Sequence, residues 1–325
     1  MGQRKGWGRL IAVLGLALAG PLVPLAACAA GPAALVTIVE GDAVVLRDTL
    51  RFAAAEGQAL RADDIVSTGS GARLLRIELE DGRTIDLGPA TQLMLLPRAL
   101  ARDGAPTAYL LQGWAKLTMP AKASAPAPAA APATLATPRL DAARVGGTLI
   151  ASVAADRLWL FAETGSAELQ RRRDGKGVMQ PLKDGDSYLL PAQGPGSLSR
   201  TPPAELRGQV PRAFIDTLPR RSARFAGRTV EPNKVSDVTY AEIAPWVNGE
   251  AALRGAFVQR LTPRAKDSSF RSALVAEMKL HPEWQPVLFP PPPPPPKRPP
   301  APAAETATAR APETGPAPAA ASAAQ

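Results

Sequence analysis

Residues 74–96 read LLRIELEDGRTIDLGPATQLMLL, and their apolar positions fall two apart: Leu75, Ile77 and Leu79, then Ile85 and Leu87. Successive side chains of a strand point to opposite faces, so this spacing predicts two half-buried strands. A two-residue turn at Asp81-Gly82 would pair Ile77 with Asp86 and mix the faces. A three-residue turn, Glu80-Asp81-Gly82, pairs Ile77 with Ile85 and Leu75 with Leu87. It also puts Gly82 where such a loop needs a left-handed residue. Asp81 and Gly82 are therefore read as a structural turn. Arg76 then faces Asp86 as an ordinary cross-strand charge pair on the outer face.

The same alternation runs through most of the chain. Residues 31–119 predict short strands about Glu40-Gly41-Asp42, further strands at turn signals roughly ten residues apart, and a closing strand pair about Gly113. Residues 120–138 are Ala/Pro-rich and read as a linker, or as a loop inserted in one β domain. Residues 139–199 return to strands, with turns at Thr164-Gly165-Ser166 and at Lys183-Asp184-Gly185-Asp186. The two β regions echo each other weakly, GDAVVLRD…EGQALRADDIV against GSAELQRR…PLKDGDSYLL. Residues 200–236 read as a basic connecting segment.

From residue 237 the period becomes helical. Leu253, Phe257, Val258 and Leu261 share one face. Asp267 is placed to cap a helix that carries Phe270, Leu274, Val275 and Met278. Tyr240, Trp246 and Trp284 are expected to pack this unit, 237–289. Residues 290–325 open with seven prolines, roughly 22 Å of polyproline II at about 3.1 Å per residue. The Ala/Pro-rich remainder is expected to be disordered.

Composition changes the picture at the N-terminus. Arg4, Lys5 and Arg9 precede an uncharged apolar run from Leu10 to Leu25, and small residues follow, which reads as a secretory signal over residues 1–30. Cys28 is the single cysteine of the 325 residues. Leu25-Ala26-Ala27-Cys28 fits a lipobox with Cys28 lipidated; Ala27-Cys28-Ala29 fits ordinary cleavage that discards it. Both readings leave the exported chain without a disulfide and place it in the periplasm, soluble or lipid-anchored. The formal charge is +9, of which the leader supplies three positives. Export argues against nucleic acid as the partner. The excess is local: residues 200–234 hold eight basic and three acidic side chains. Arg220, Arg221, Arg224 and Arg228 form a basic contact patch suited to anionic lipid, acidic glycan or an acidic protein, unless the segment is simply solvated.

The segments VEGDAVVLRD, GQALRADDIVSTGSGARLLRIELEDGRTIDLGPATQLML, LLQGWAKLTM and RVGGTLIASV resemble, in that order, the FecR-like domain of bacterial envelope proteins over about Leu35 to Leu190. The resemblance implies a mainly β fold, a β-sandwich or solenoid-like β-roll, followed here by the small α-helical unit. Its best known members are transmembrane regulators that act on a sigma factor through a cytoplasmic segment. Nine residues precede the apolar run here, so that role is not carried over; no peptidoglycan-binding repeat is found.

Chemistry-bearing patterns are few. His281 is the one histidine and reads as structural. Asp63 and Asp64, being adjacent, should point apart on a strand or sit in a turn, and so do not make a working acid/base pair. No nucleophile elbow, zinc motif or phosphate loop occurs, so neither a metal nor a cofactor is expected, although a hydrolase built on carboxylates alone stays open. The expectation is a non-enzymatic interaction or sensory-scaffold protein of the cell envelope, with envelope proteins as partners. A signalling regulator and a peptidoglycan or glycan binder are the alternatives.

Overall fold

The computed structural model describes residues 33–103, 106–120, 132–172, 180–228 and 230–290. The leader with Cys28, most of the Ala/Pro segment and the tail beyond Pro290 lie outside them. The strands form one sheet of 18, antiparallel at every strand pairing but one, that curls over on itself into two layers.

The chain zigzags between the layers. It starts in the first as β1 (Ala34–Glu40) and crosses to the second as β2 (Ala43–Arg47) and β3 (Leu50–Ala53). The short β4 (Ala59–Leu60) borders β1. Then β5 (Ile65–Thr68) lies in the second layer, β6 (Leu74–Leu79) and β7 (Thr84–Leu87) in the first, and β8 (Gln92–Leu95) in the second. β9 (Ala108–Thr118) belongs to both. The later half repeats the traffic. β10 (Ala133–Ala136) and β11 (Leu140–Val145) lie in the second layer, β12 (Thr148–Val153) and β13 (Arg157–Thr164) in the first. β14 (Ala167–Arg171) and β15 (Gln180–Leu182) return to the second, β16 (Ser187–Pro191) and β17 (Ser197–Ser199) to the first. β18 (Asn233–Asp237) adds an edge beside β3. Of the two architectures open from the sequence, this is a sandwich whose layers share one strand.

The β6–β7 register is Leu75↔Leu87, Arg76↔Asp86 and Ile77↔Ile85, and Gly82 is left-handed (φ +90°). The strand pair expected about Gly113 is instead one continuous strand. Residues before Gly113 pair with β8 and β10; residues from Gly113 on pair with β7 and β12. Gly113 has φ +90°, and a Cβ there would sit 2.4 Å from the Cα of Thr91. The Thr91 hydroxyl in turn accepts the Trp114 N–H at 2.9 Å. The glycine bends the strand from one layer into the other without reversing it. Likewise Gly41 and Gly165 are left-handed, but each turns a corner between layers rather than closing a hairpin. The segment read as a linker also gives way: its last part forms β10.

Alternation along the strands builds three cores. Val45, Val66, Leu93, Ile77 and Leu160 meet between the layers. Their neighbours Leu46, Ile65 and Met94 face outward from the second layer and are covered by α2 (Tyr240–Val247), α3 (Ala251–Leu261), α4 (Ser268–Ala276) and α5 (Gln285–Leu288). These follow α1 (Ala204–Gln209), which covers the other side. There Ile38, Leu74, Ile150 and Trp159 face outward from the first layer against Leu206 and Phe214. Residues 200–228 are thus a strap on the sheet, not a solvated connection, because an apolar outer face must be covered. The remainder of the basic segment forms β18.

In the helical unit Asp267 accepts the Phe270 N–H at 2.9 Å as the cap of α4. Leu253, Phe257, Leu261, Phe270, Leu274, Trp246 and Trp284 are buried, with Tyr240 edge-on to Phe270. Val275 departs from the expected face. It is 42% exposed, because α4 ends one residue later, at Ala276, and only a narrow stripe meets the sheet.

Gly113→Ala is expected to lower the unfolding free energy by at least about 2 kcal/mol, from the left-handed backbone and the clash with Thr91. Urea denaturation checks it; an unchanged midpoint contradicts the bend.

Candidate functional site: a basic strap and two clefts

The charged residues of β6, β7 and β9 are buried by the strap rather than solvated. Arg76 and Asp86 are 4% and 2% exposed, which corrects the expected surface pair. Arg76 donates from Nε and Nη2 to the two Asp86 oxygens at 2.6 and 2.7 Å, and from Nη1 to the Leu218 carbonyl at 2.9 Å. A buried bidentate pair of this kind satisfies its hydrogen-bonding capacity instead of leaving it in apolar surroundings. Lys116 Nζ donates to the Phe214 carbonyl at 2.6 Å and lies 2.8 Å from Glu163. Glu78 accepts the backbone N–H of Arg221 (2.7 Å) and of Ser222 (3.1 Å) and the Thr37 hydroxyl (2.9 Å). Burial pushes the Glu78 carboxyl up, but these donors outweigh it and hold the group below its ordinary range.

The sheet therefore grips the strap largely through main-chain atoms, and most of the strap's arginine side chains are exposed. The four expected patch residues are not equivalent. Arg220 Nε lies 3.5 Å from Glu78 and Arg221 Nη1 lies 3.6 Å from Glu56. Arg224 and Arg228 are exposed, as are Arg200, Arg207 and Arg212. Among the described residues no carboxylate lies within 4.0 Å of these five.

On the other side, two clefts open along the seam between the second layer and the helices. One, of about 840 Å³, is lined by Arg47, Asp63, Asp64, Arg98, Phe257 and Arg260 among others. Asp63 and Asp64 do point apart: Asp64 holds Arg47 Nη2 at 2.6 Å, and Asp63 holds Arg98 Nε at 2.5 Å. The other, of about 920 Å³, contains Tyr109, Asp141, Arg172 and Glu250. Arg172 bridges Asp141 and Glu250, each at 3.1 Å, and lies 5.4 Å from the Tyr109 ring centroid. Burial pushes the Asp141 carboxyl up to about 6 in spite of that arginine. Burial also raises Glu250 and Tyr109. These partners lie 31 and 78 residues apart, so no local motif announces them.

His281 is fully buried. Its ring nitrogens lie 2.7 Å from Asn248 Oδ1 and 3.1 Å from the Leu274 carbonyl, which ties the ends of α2 and α4 together. Among the described residues no group of three His, Cys, Asp or Glu is placed to hold a metal ion, and no helix is long and apolar enough to cross a membrane.

Two outcomes are expected. Glu78→Gln replaces one acceptor oxygen by an NH2 group that faces a strap N–H, since Arg221 and Ser222 each donate to a different oxygen, so trypsin should cut the strap after Arg220 to Arg224 roughly tenfold faster; unchanged cleavage would show that Glu78 does not hold it. For Asp141 the folded-state value lies above the ordinary one near 3.9. The folded chain thus binds the extra proton, and this group's stabilisation, full below about pH 4, is lost as pH rises through about 6. Urea titrations between pH 4 and 7 should show that component, and Asp141→Asn should remove it.

No protein-family model matches the chain, and no curated protein matches it. Two crystal structures of a protein from Parabacteroides distasonis described as a "putative anti-sigma factor" are similar to it, at 15% and 14% identity and a TM-score of 0.34 each. Each alignment covers 42% of this chain and 59% of that one.

Proposed function

We propose that this protein is a non-catalytic interaction module of the bacterial cell envelope that docks on an anionic envelope polymer through its strap. One observation carries the reading: buried side chains of the first layer hold the strap by its backbone, while five of its arginines are exposed with no carboxylate of the described residues within 4.0 Å. A segment held in this way presents cations on a fixed surface, which lowers the ordering cost of binding. Acidic glycan and the carboxylates of cell-wall peptides fit that surface. The leader-like N-terminus would place the chain in the compartment where such polymers occur.

The test is co-sedimentation with purified peptidoglycan. Binding is expected at low salt and should weaken steeply as ionic strength rises. It should be lost in the triple variant Arg212→Ala, Arg224→Ala, Arg228→Ala, whose thermal unfolding should match the parent because these side chains are exposed and form no ion pair among the described residues. Salt-insensitive binding, or full binding by the variant, contradicts the reading.

A further inference from the structure

The cleft beside Arg260 lies apart from the strap, on the opposite side of the sheet. Its floor is apolar, formed by Met94, Leu253 and Phe257, and its rim carries Arg61, Arg98 and Asp48. Its volume is in the range of small-molecule sites, roughly 300–1,000 Å³.

Arg260 is the unusual member. Its side chain is 13% exposed. Nη1 and Nη2 donate to the carbonyls of Asp63 (2.7 Å) and Leu46 (3.0 Å), which are neutral acceptors. Nε is buried without a hydrogen-bond partner, and the nearest carboxylate, Asp48, is 4.0 Å away. Burial holds the guanidinium below its ordinary value. Its counter-charge is weak: Asp48, the carboxylate at 4.0 Å, is 76% exposed, and the guanidinium lies 5.6 Å from the Phe257 ring centroid. Nearby charges do not make it up: Asp64 is engaged by Arg47 and Asp63 by Arg98. Arg61, exposed at the rim, has no ion pair among the described residues.

The backbone around the cleft is also specialised. Arg61-Ala62-Asp63-Asp64 and Lys183-Asp184-Gly185-Asp186 form the same turn in the two halves of the sheet. In each, the last aspartate accepts the N–H of the first residue, at 2.8 and 3.0 Å. The left-handed position is Gly185 (φ +77°) in one half but Asp63 (φ +67°) in the other. Asp48, across the cleft, is left-handed too (φ +53°). The half that carries the cleft has an aspartate where its counterpart has the unstrained glycine. That aspartate positions both Arg98, through its carboxylate, and Arg260, through its carbonyl. An aspartate adopts this backbone more readily than most side chains, so the turn can carry a side chain that orients the two arginines.

We infer that this cleft binds a small amphipathic anion, its carboxylate or phosphate head between Arg260 and Arg61 and its apolar body over Met94, Leu253 and Phe257.

Isothermal titration of the purified protein tests this with four probes: octanoate, octyl phosphate, inorganic phosphate and octyltrimethylammonium. Saturable binding of octanoate, octyl phosphate or both supports the site and tells a carboxylate head from a phosphate one. Arg61→Gln, at an exposed side chain, should weaken that binding at least about fivefold. Asp48→Asn, which removes the nearest competing negative charge at a residue type that tolerates the left-handed backbone, should tighten it about threefold. No saturable binding of either octyl anion, equal uptake of the cationic probe, or variants that bind like the parent overturns the inference. Inorganic phosphate binding as tightly as octyl phosphate overturns the apolar part of it. None of these outcomes bears on the peptidoglycan test, which uses the other side of the sheet.

Discussion

Val45 and Leu46, Ile65 and Val66, Leu74 and Leu75, Trp159 and Leu160 are neighbours on strands that point to opposite faces, and all eight are buried. A sandwich with one wet face per layer would need polar residues at half of these positions. Here the outer face of the second layer's central strands is apolar, and that of the first sets Leu74, Ile150 and Trp159 beside the charged Arg76, Glu78 and Lys116; each is covered. The helical unit covers one and the strap the other. Burying an aromatic or leucine side chain contributes about 1.5–3 kcal/mol, so Phe214 and Leu206 alone give the strap reason to stay on the sheet.

Apolar cover by itself does not define a register. The buried polar groups supply it. Arg76, Glu78 and Lys116 are each satisfied only when a particular strap carbonyl or N–H is opposite: Leu218, Arg221 with Ser222, and Phe214. Leaving one of them unpaired would cost about 1–3 kcal/mol or more, so the strap has one seating. On the helical side Arg260 works alike, pinning α3 to the carbonyls of Leu46 and Asp63. In both places an arginine or lysine joins elements far apart in the chain by binding backbone, and in both a surplus of positive charge remains. At the strap the surplus is exposed. At Arg260 it is enclosed beside apolar surface. In the proposed reading the first meets a polymer at a surface and the second a small molecule that brings its own apolar body.

β9 is the other organising element. It carries inward-facing Leu110 and Leu117 of one core, and outward-facing Tyr109 and Trp114 of two others. Gly113 lets a single strand serve both layers, so the halves of the molecule cannot separate without breaking it.

Period-two alternation, the glycine turns, the Glu80-Asp81-Gly82 loop with its register, the Asp267 cap and the tryptophan packing of the helical unit were all legible in the chain, because each depends on residues within a few positions of one another. The turn residues could not say whether the chain would reverse into a hairpin, as at Gly82, or pass to the other layer, as at Gly41 and Gly165. A left-handed glycine serves either purpose, and the choice rests on which strand is available to pair. The character of Arg76 and Asp86 was equally beyond local pattern: their pairing followed from register, but their burial came from a strap more than 130 residues away. The two clefts arise the same way, from side chains on separate strands and helices that only the packed fold brings together. The sequence alone determined the period-two segments, the turn positions and the local caps, each a matter of neighbouring residues; the tertiary structure decided which segments pair, adding β10 and β18 and making β9 one strand, and which faces are covered, and hence which charges are buried and which stay exposed.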